Sequence, residues 1–323
     1  MEIPKRFDLI RQDLNDCNDL LINWLSSMPL RIKEPALELV TGGKRIRPIL
    51  VITSSYYVEA DRKRILHLAA IFELIHLASL IHDDVIDDAD MRRDKPTLHK
   101  AQTTLYAINV ANYLFAFALR KLTELNSTRL HCVMSRLLVD LTNGELMQLN
   151  SRNKLDKSVK TYLRKVRQKT AHFIGVSMQA PGLLLDSDTR IERDLYQFGY
   201  FFGMAFQIYD DLMDFHSYDR GKDTQLDLSD GYLTLPTILA LDEKNIYDKV
   251  QQLFSGVLDD IDYQRLISEV RYDKGFNQSI QVKQWYLLKA TKQLKKLPRK
   301  RETYILSSLV ASLNNHPIDL FEK

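Results

Sequence analysis

Apolar residues recur along almost the whole chain at the three- and four-residue spacing of amphipathic helices. No segment shows the sustained alternation of apolar and polar residues that is typical of a half-buried strand. The breaks between apolar runs contain residues that commonly end helices, such as Pro96, Pro181 and Pro298. These patterns predict an all-α fold. The predicted helices cover about 8–27, 32–40, 45–57, 62–90, 97–124, 127–150, 156–180, 189–216, 234–242, 246–254, 258–272 and 277–320.

Length and composition favour one large helical domain. The 323 residues include 45% apolar and 27% charged residues, which is an ordinary balance for a globular protein. No segment is rich in Pro, Gly or Ser, as a flexible linker would be, and only 11 glycines interrupt the helical pattern. We therefore predict a single domain over residues 1–323.

Charge, cysteine content and hydropathy exclude several classes of protein. The net charge of +3 gives no global attraction to nucleic acid or to a membrane surface. Cys17 and Cys132 are too few for a disulfide framework or a zinc site, which predicts a reducing, cytoplasmic location. The N-terminus lacks the apolar core of a signal peptide. Residues 65–82 are long enough to cross a membrane, but Glu73 and three histidines interrupt them, so we expect a buried helix and no membrane anchor.

The motif DDxxD occurs twice, and each copy ends a strongly apolar helical run. The copies are DDVID at 83–87 and DDLMD at 210–214. Aspartates three and four residues apart share one helical face, where each like-charged pair costs about 0.2–0.5 kcal/mol. Magnesium compensates such carboxylates and takes further ligands from substrate phosphates, so two facing motifs would clamp a diphosphate. The candidate metal ligands are Asp83, Asp84, Asp87, Asp210, Asp211 and Asp214.

A solvated acidic helix end is the alternative interpretation of one DDxxD motif. For residues 83–87 taken alone, this alternative stays open. The second motif lies in FFGMAFQIYDDLMDF, where apolar and aromatic neighbours disfavour exposure to solvent. The paired occurrence therefore favours a functional site.

Basic residues accompany the acidic motifs. In GGKRIRP, residues 42–48, Lys44 and Arg47 lie at a predicted helix start, where backbone N–H groups and the helix dipole favour an anion. Arg92 and Arg93 directly follow the first motif. They either pair with its aspartates or bind phosphate oxygens, for which the guanidinium geometry is well suited.

Other candidates are weaker on their own. Lys169, Thr170 and Lys222 would be interpreted as surface residues without a partner motif. His76 lies two helical turns before Asp83 on the same face, so a core histidine and a site residue are equally good interpretations.

The doublet His82-Asp83 also occurs in metal-dependent HD phosphohydrolases. That interpretation requires further histidine ligands and leaves the second DDxxD motif unexplained. A calcium-binding EF-hand is excluded because DDADMRRD lacks the glycine at the sixth loop position. Neither GxxxxGK[ST] nor GxGxxG occurs, so the usual nucleotide-binding loops are absent from the sequence.

Several motifs together resemble those of the trans-isoprenyl diphosphate synthase, or polyprenyl synthetase, family. They are GGKRIRP, HLASLIHDDVIDDADMRRDKPT, NGELMQL, the KTA of RQKTAHFIG, and GMAFQIYDDLMDF, in this order. The resemblance extends from about residue 38 to about residue 240, and more faintly through KATKQLKKLPRKRETYILSSL. It is greatest to the large catalytic components of bacterial heptaprenyl and hexaprenyl diphosphate synthases. The combination is specific, although each motif alone is not.

The resemblance implies a bundle of mostly antiparallel helices around a deep apolar cavity, with both DDxxD motifs at its mouth. It implies condensation of isopentenyl diphosphate with an allylic diphosphate, assisted by magnesium, as three ions in the family pattern. The implied catalytic residues are Asp83, Asp84, Asp87, Arg92, Lys169, Asp210 and Lys222. The allylic diphosphate would contact Arg92, Lys169, Thr170, Gln207 and Lys222, and isopentenyl diphosphate would contact Lys44, Arg47, His76 and Arg93.

The length of the product can be predicted from the helix that precedes the first motif. One isoprene unit is about as long as one helical turn, roughly 5.4 Å. Short-chain members of the family have large aromatic residues four or five positions before the motif, where this chain has Ser79 and Ala78. Ile75 lies about one turn further down, and Phe72 is a candidate floor. We expect a product longer than twenty carbons. At one isoprene unit per helical turn, it would have about thirty to forty carbons.

Some positions depart from the family pattern. Ala111-Asn112 replaces a usual Gly-Asp pair, and GKDTQLD followed by GYLTLP introduces Asp223, Gln225 and Tyr232 where relatives have other residues. These departures concern the segment that would cover the diphosphates, and leave the metal ligands in place.

Rival functions remain at this stage. A shorter-chain geranylgeranyl or farnesyl diphosphate synthase differs only in product length, whereas a class I terpene cyclase normally lacks the second DDxxD motif. A non-catalytic subunit would be expected to lose the carboxylates. The resemblance leaves a homodimer and a heterodimer with a small regulatory subunit equally open. It implies no nucleic acid partner, and a long lipid product suggests transient membrane contact at release.

Overall fold

The computed structural model describes residues 4–40, 43, 45–93, 95–218 and 227–314, with the backbone alone at 216–218. Lys44, Lys222, Asp223 and Gln225 lie outside these described residues. A 3-10 helix, Lys5–Ile10, precedes the α-helices. The α-helices are α1 (Arg11–Ser26), α2 (Leu30–Val40), α3 (Ile46–Ser55), α4 (Arg62–Ile86), α5 (Leu98–Ala101), α6 (Thr104–Thr123), α7 (Thr128–Ser151), α8 (Val159–Val166), α9 (His172–Leu185), α10 (Thr189–Tyr218), α11 (Leu235–Ala240), α12 (Lys244–Phe254), α13 (Asp260–Tyr272), α14 (Lys274–Leu294) and α15 (Thr303–Asn314).

The prediction of an all-α fold is confirmed, with one small addition. A hairpin of two-residue strands, β1 (Met91–Arg92) and β2 (Lys95–Pro96), follows the first acidic motif. The chain reverses direction here, with Arg93 in the left-handed conformation at φ 53°. Strands this short contain no alternating pattern that periodicity could detect.

Several predicted helix boundaries are wrong, including the end predicted at residue 90, since α4 ends at Ile86. The predicted helix 97–124 is divided into α5 and α6, because the side chain of Thr103 caps α6 by accepting a hydrogen bond from the Tyr106 backbone N–H. The predicted end before Pro181 does not occur, since α9 continues through this proline to Leu185. The helix ends only where Asp186 adopts a left-handed conformation and its N–H group bonds the carbonyl of Gly182.

Helix α4 is a core helix of the bundle and is apolar on nearly every face. Residues from Leu68 to Ile75 are shielded from solvent, and α1, α3 and α6 pack against this helix. It is long and apolar enough to cross a membrane, but 67% of its most apolar window is buried inside the protein. This agrees with the prediction of a buried core helix at 65–82.

Helix α10 packs against α9 and α14. Phe215 lies beside Phe276 with ring centroids 6.0 Å apart, and Phe201 lies beside Tyr286 at 6.4 Å. Since the residue numbers run in opposite senses along the two helices, α10 and α14 are antiparallel. The second acidic motif therefore lies beside the first half of α14.

Candidate active site

Both DDxxD motifs face one cavity of about 1150 Å³. The first motif lies at the C-terminal end of α4 and the second in the last third of α10. Apolar side chains form much of the remaining wall, among them Phe115, Leu138, Phe173 and Phe206. The fold thus brings two acidic motifs, separated by more than a hundred residues in sequence, to one partly apolar cavity.

The three aspartates of the first motif have different surroundings. Asp84 is buried and does not line the cavity, and its two carboxylate oxygens accept hydrogen bonds from Arg92 Nε at 2.7 and 2.9 Å. Asp83 and Asp87 do line the cavity, where Asp83 is 3.7 Å from Lys169 Nζ. The Oδ1 atom of Asp87 is buried without a hydrogen-bond partner. Asp84 therefore fixes Arg92, while Asp83 and Asp87 present their oxygens to the cavity.

Lys169 lies in the π-helical turn Arg167–Ala171 between α8 and α9, and it joins two acidic groups. Its Nζ atom is 3.0 Å from Glu145 Oε1, 3.7 Å from Asp83 Oδ1, and 3.4 Å from Gln148 Oε1. Burial and the Asp83 charge raise the pKa of Glu145 to about 7, against the effect of Lys169. Burial lowers the pKa of Lys169, but the carboxylates of Asp83 and Glu145 raise it. The pKa is therefore higher than usual.

Sequence reasoning did not assign Glu145 or Gln148 to the site. Both belong to NGELMQL, which was recognised only as part of the family pattern. Their three-residue spacing on α7 was the available signal, because it places both side chains on one helical face.

Asp211 of the second motif belongs to a hydrogen-bonded chain of four buried or half-buried side chains. Tyr162 donates to Asp211 Oδ2 at 2.5 Å, and Gln207 Nε2 donates to Asp211 Oδ1 at 3.0 Å. Thr170 in turn donates to Gln207 Oε1 at 2.8 Å. The structure thus joins Thr170 and Gln207, as predicted members of one site, and adds Tyr162, which the sequence analysis missed.

Carboxylates crowd the other side of the second motif. Burial, and then the charges of Asp227, Asp210 and Asp211, raise the pKa of Asp214 to about 9. Burial likewise raises the pKa of Asp230 to about 6, with Asp227 adding to the effect. Asp227 lines the cavity and was not predicted, since it lies outside both motifs.

Arginines and a histidine form the basic part of the cavity wall. His76 is half-buried, and its Nδ1 atom is buried without a hydrogen-bond partner. Burial lowers the pKa of His76 well below its usual value, and the charges of Arg47, Arg92 and Arg93 act in the same direction. His76 is therefore neutral at physiological pH and can donate or accept one hydrogen bond within this cationic wall.

Arg47 is held against the apolar part of the wall. Its guanidinium carbon lies 4.5 Å from the centroid of the Phe173 ring, and its Nε atom is buried without a partner. Burial lowers the pKa of Arg47 to about 10, which leaves the side chain charged near neutral pH. An unsatisfied guanidinium N–H group facing a cavity is well suited to bind an anion.

A buried ion pair supports the turn that precedes Arg47. Arg45 adopts a left-handed conformation at φ 52°, and its Nη1 atom donates to Glu73 Oε1 at 3.0 Å. Its Nη2 atom also donates to Asn18 Oδ1 at 3.2 Å. Glu73, which the sequence analysis treated only as an interruption of an apolar run, therefore orients the start of α3.

The predicted chain-length residues lie at different depths around the cavity. Ser79 lines it, and its hydroxyl donates to the His76 backbone carbonyl at 2.8 Å. Ala78, Ile75 and Phe72 are fully buried in the adjoining core rather than on the cavity wall. The role of these residues in product length stays a prediction.

Tyr232 is one of the residues that depart from the family pattern. Its ring is buried, with Arg152 at 5.9 Å and Lys165 at 6.0 Å from the ring centroid. Ala111 is buried in α6, whereas Asn112 is exposed. Neither Ala111 nor Asn112 lines the cavity, but the Asn112 side chain forms a hydrogen bond with His82, which does.

The carboxylates of the cavity fit a divalent cation. Asp87 Oδ1 has no partner, and burial with mutual repulsion raises the pKa of Asp214, so a positive ion between the motifs would relieve both costs. Within the described ranges no three His, Cys, Asp or Glu side chains already converge as a metal site. An ion held here would therefore share its coordination between one or two carboxylates, water and a bound ligand, as magnesium does.

Comparison with known proteins identifies the sequence pattern. Residues 30–264 match the family described as polyprenyl synthetase. Heptaprenyl diphosphate synthase component 2 of Bacillus subtilis is 34% identical over 312 residues, which cover 94% of this chain and 89% of that protein. Octaprenyl diphosphate synthase of Escherichia coli is 32% identical over 244 residues, with 75% and 76% covered.

The fold agrees with that of a solved relative. The crystal structure of heptaprenyl diphosphate synthase from Staphylococcus aureus superposes with a TM-score of 0.88 at 30% sequence identity. The superposition covers 94% of this chain and 98% of that one. The all-α bundle is therefore shared over nearly the full length of both chains.

Proposed function

The chain belongs to the polyprenyl synthetase family, and from this premise we propose that it is a magnesium-dependent all-trans polyprenyl diphosphate synthase. As a prenyltransferase of medium- or long-chain type, it would add isopentenyl diphosphate head to tail to an allylic diphosphate such as farnesyl diphosphate. The observation that carries this proposal is the cavity shared by two DDxxD motifs, an arginine-rich wall and large apolar side chains.

The charges of the cavity wall suit the departure of a diphosphate. Arg92, held by Asp84, and Lys169, shared between Glu145 and Asp83, are preorganised cations beside the first motif. They would stabilise the negative charge that develops on the leaving group. Divalent cations, when bound by the aspartates of the two motifs, supply further electrostatic stabilisation of the same group. We propose three magnesium ions, as the family pattern implies.

The basic and apolar walls suit the second substrate. Arg47, Arg93 and neutral His76 would hold the diphosphate of isopentenyl diphosphate. The double bond of that substrate would then attack the allylic carbon, and loss of a proton to the released diphosphate would give an allylic product one unit longer. Aromatic residues such as Phe173 and Phe206 exclude water from the carbocation formed between these steps.

We propose a product of about thirty to forty carbons, since the small side chain of Ser79 leaves the cavity open next to the first motif. The names of the heptaprenyl and octaprenyl relatives are compatible with this range. A geranylgeranyl or farnesyl diphosphate synthase is the second candidate, and product length distinguishes the two.

We further propose a cytoplasmic enzyme with a single catalytic domain that works as a homodimer or with a small regulatory subunit. Cys17 and Cys132 are both free thiols, as a reducing compartment requires. The relative from Bacillus subtilis is named as one component of its synthase, which favours the two-component arrangement. Large apolar side chains exposed on α6 and α7 offer a surface for a second chain. They are Leu105, Leu119 and Val139, none of which lines the cavity.

The purified chain should be incubated with farnesyl diphosphate, labelled isopentenyl diphosphate and magnesium, and the products separated by chain length. The same reaction should be run with and without a lysate of the source organism, which would supply a missing subunit. Elongation beyond twenty carbons supports the proposal, whereas cyclised or hydrolysed products contradict it. Products that stop at fifteen or twenty carbons identify the second candidate. The absence of any product under both conditions contradicts both.

A further inference from the structure

Positive charge is concentrated in one short part of the chain. Residues 289–301 contain seven Lys and Arg residues and no Asp or Glu, although the whole chain has a net charge of only +3. The other 310 residues therefore carry a net charge of −4. This basic surface consists of Lys289, Lys292, Lys295, Lys296, Arg299, Lys300 and Arg301.

The basic surface is exposed and is accompanied by exposed apolar groups. Six of its seven residues are exposed, and Lys289 is half-buried. Trp285 and Leu288 on the same helix are 50% and 62% exposed, and Tyr304 beyond the loop is 63% exposed. The ammonium group of Lys289 lies 4.9 Å from the centroid of the Trp285 ring. Basic residues interspersed with tryptophan, tyrosine and leucine are typical of surfaces that lie in the headgroup region of a membrane.

The basic surface lies at the end of the bundle remote from the acidic motifs. Lys283 of α14 lies 5.5 Å from the ring centroid of Tyr209, which directly precedes the second motif, and α14 extends about 16 Å further to Leu294. Beyond that helix, Thr303 accepts or donates a 2.6 Å hydrogen bond with Tyr57. Arg47 lies near the start of α3, and Tyr57 follows its end. Helix α3 therefore also places the basic surface at the end of the bundle remote from the site.

We propose that the basic surface and the side chains of Trp285, Leu288 and Tyr304 dock on a bilayer that contains anionic phospholipids. The attraction is electrostatic, and the three apolar side chains enter the interface. The reason for such docking rests on the proposed function. A product of six to eight isoprene units, each about 5 Å long, would extend from the acidic motifs to the remote end of the bundle, where its apolar tail needs a lipid phase.

Vesicle binding by the protein alone tests this docking. The full chain, without substrates, is centrifuged with vesicles of phosphatidylcholine alone and with vesicles of equal parts phosphatidylcholine and phosphatidylglycerol. We expect binding to the anionic vesicles at least about ten-fold tighter than to the neutral ones, and a loss of binding between about 0.1 M and 0.5 M salt. Since substrates are left out, failure here is independent of the condensation assay.

Tryptophan fluorescence reports the contact directly, because the chain has two tryptophans and Trp24 is only 8% exposed. A blue shift on binding that disappears in Trp285→Phe assigns the contact to Trp285. The triple variant Lys292→Glu, Lys295→Glu, Lys296→Glu should lose binding. The control Lys160→Glu, Lys244→Glu, Arg265→Glu makes the same change of charge at scattered exposed positions and should retain it. Equal binding to both kinds of vesicle, no binding to either, or equal losses in the two triple variants would overturn the proposal.

Discussion

The hydroxyl of Tyr162 donates a 2.5 Å hydrogen bond to the buried Asp211 carboxylate, which divides the second DDxxD motif into residues with different roles. The other oxygen of Asp211 is taken by Gln207. Asp211 is thus held by neutral donors on both oxygens, although the sequence alone made it a metal ligand equal to its neighbours. Burial and the neighbouring carboxylates, by contrast, raise the pKa of Asp214 to about 9, so this member of the motif would gain from a bound cation.

Replacement of Tyr162 by phenylalanine tests this division. The change removes one donor from a buried carboxylate and should lower the free energy of unfolding by about 1–3 kcal/mol. Tyr162 also orients Asp211, a predicted metal ligand. Its loss should therefore raise the magnesium concentration needed for half-maximal activity, and lower kcat/KM, by about ten-fold or more. Tyr57→Phe is a matched control, because that hydroxyl also bonds a side chain, Thr303, but lies far from the motifs. Reduced stability with unaltered magnesium dependence would assign Tyr162 a purely structural role.

The pKa of Glu145 predicts a specific dependence of stability on pH. Folding raises this pKa from 4.5 to about 7, so the folded protein binds more protons than the unfolded chain between these values. The free energy of unfolding therefore falls as pH rises through this range. Glu145→Gln removes the effect and should stabilise the metal-free protein by about 1–3 kcal/mol near pH 8, with no difference below about pH 4.5.

Thermal unfolding at several pH values measures this difference. The exposed Glu124, paired with Lys121, provides the control substitution Glu124→Gln, which should change stability little at any pH. A stability difference for Glu145→Gln that is constant from acid to alkaline pH would contradict the raised pKa.

Magnesium together with inorganic diphosphate should stabilise the folded protein, because the cation relieves the repulsion between the carboxylates and the diphosphate binds to the cation and to the basic wall. At a ligand concentration a hundred times Kd the gain would be about 2.7 kcal/mol, and a chelator should reverse it. Asp87→Asn and Asp210→Asn should each reduce the gain in a thermal-shift measurement. Asp88→Asn should not, since Asp88 is exposed and pairs with Lys100 at the surface. A gain that is equal in all variants would place the ions elsewhere.

The length of the product should depend on the size of Ala78 and Ser79, which lie just before the first motif. Ser79→Phe puts a ring into the cavity and should shorten the product. The control Ser79→Ala should leave the length of the product unchanged. Ala78→Phe should also shorten it, but at a cost of about 1–3 kcal/mol in stability, because Ala78 is fully buried. Chromatography of the extracted prenyl chains measures both effects, and unchanged product lengths in both phenylalanine variants would refute the length prediction.

Local patterns in the sequence were sufficient for the helices, the buried character of residues 65–82 and the two acidic motifs. Helical periodicity and capping residues act over a few neighbours, so they can be recognised without knowledge of the fold. For the same reason, the sequence placed Arg92 and Lys169 next to recognisable motifs but could not identify their partners.

Only the tertiary structure decided which side chains meet. Asp84 pairs with Arg92 instead of lining the cavity, Glu145 shares Lys169 with Asp83, and Tyr162 holds Asp211. Apart from Asp84 and Arg92, these contacts join residues on different helices, whose distance along the chain carries no information about their distance in space. The sequence by itself thus determined the chemical groups that are available, and helix packing determined their burial, pairing and charge.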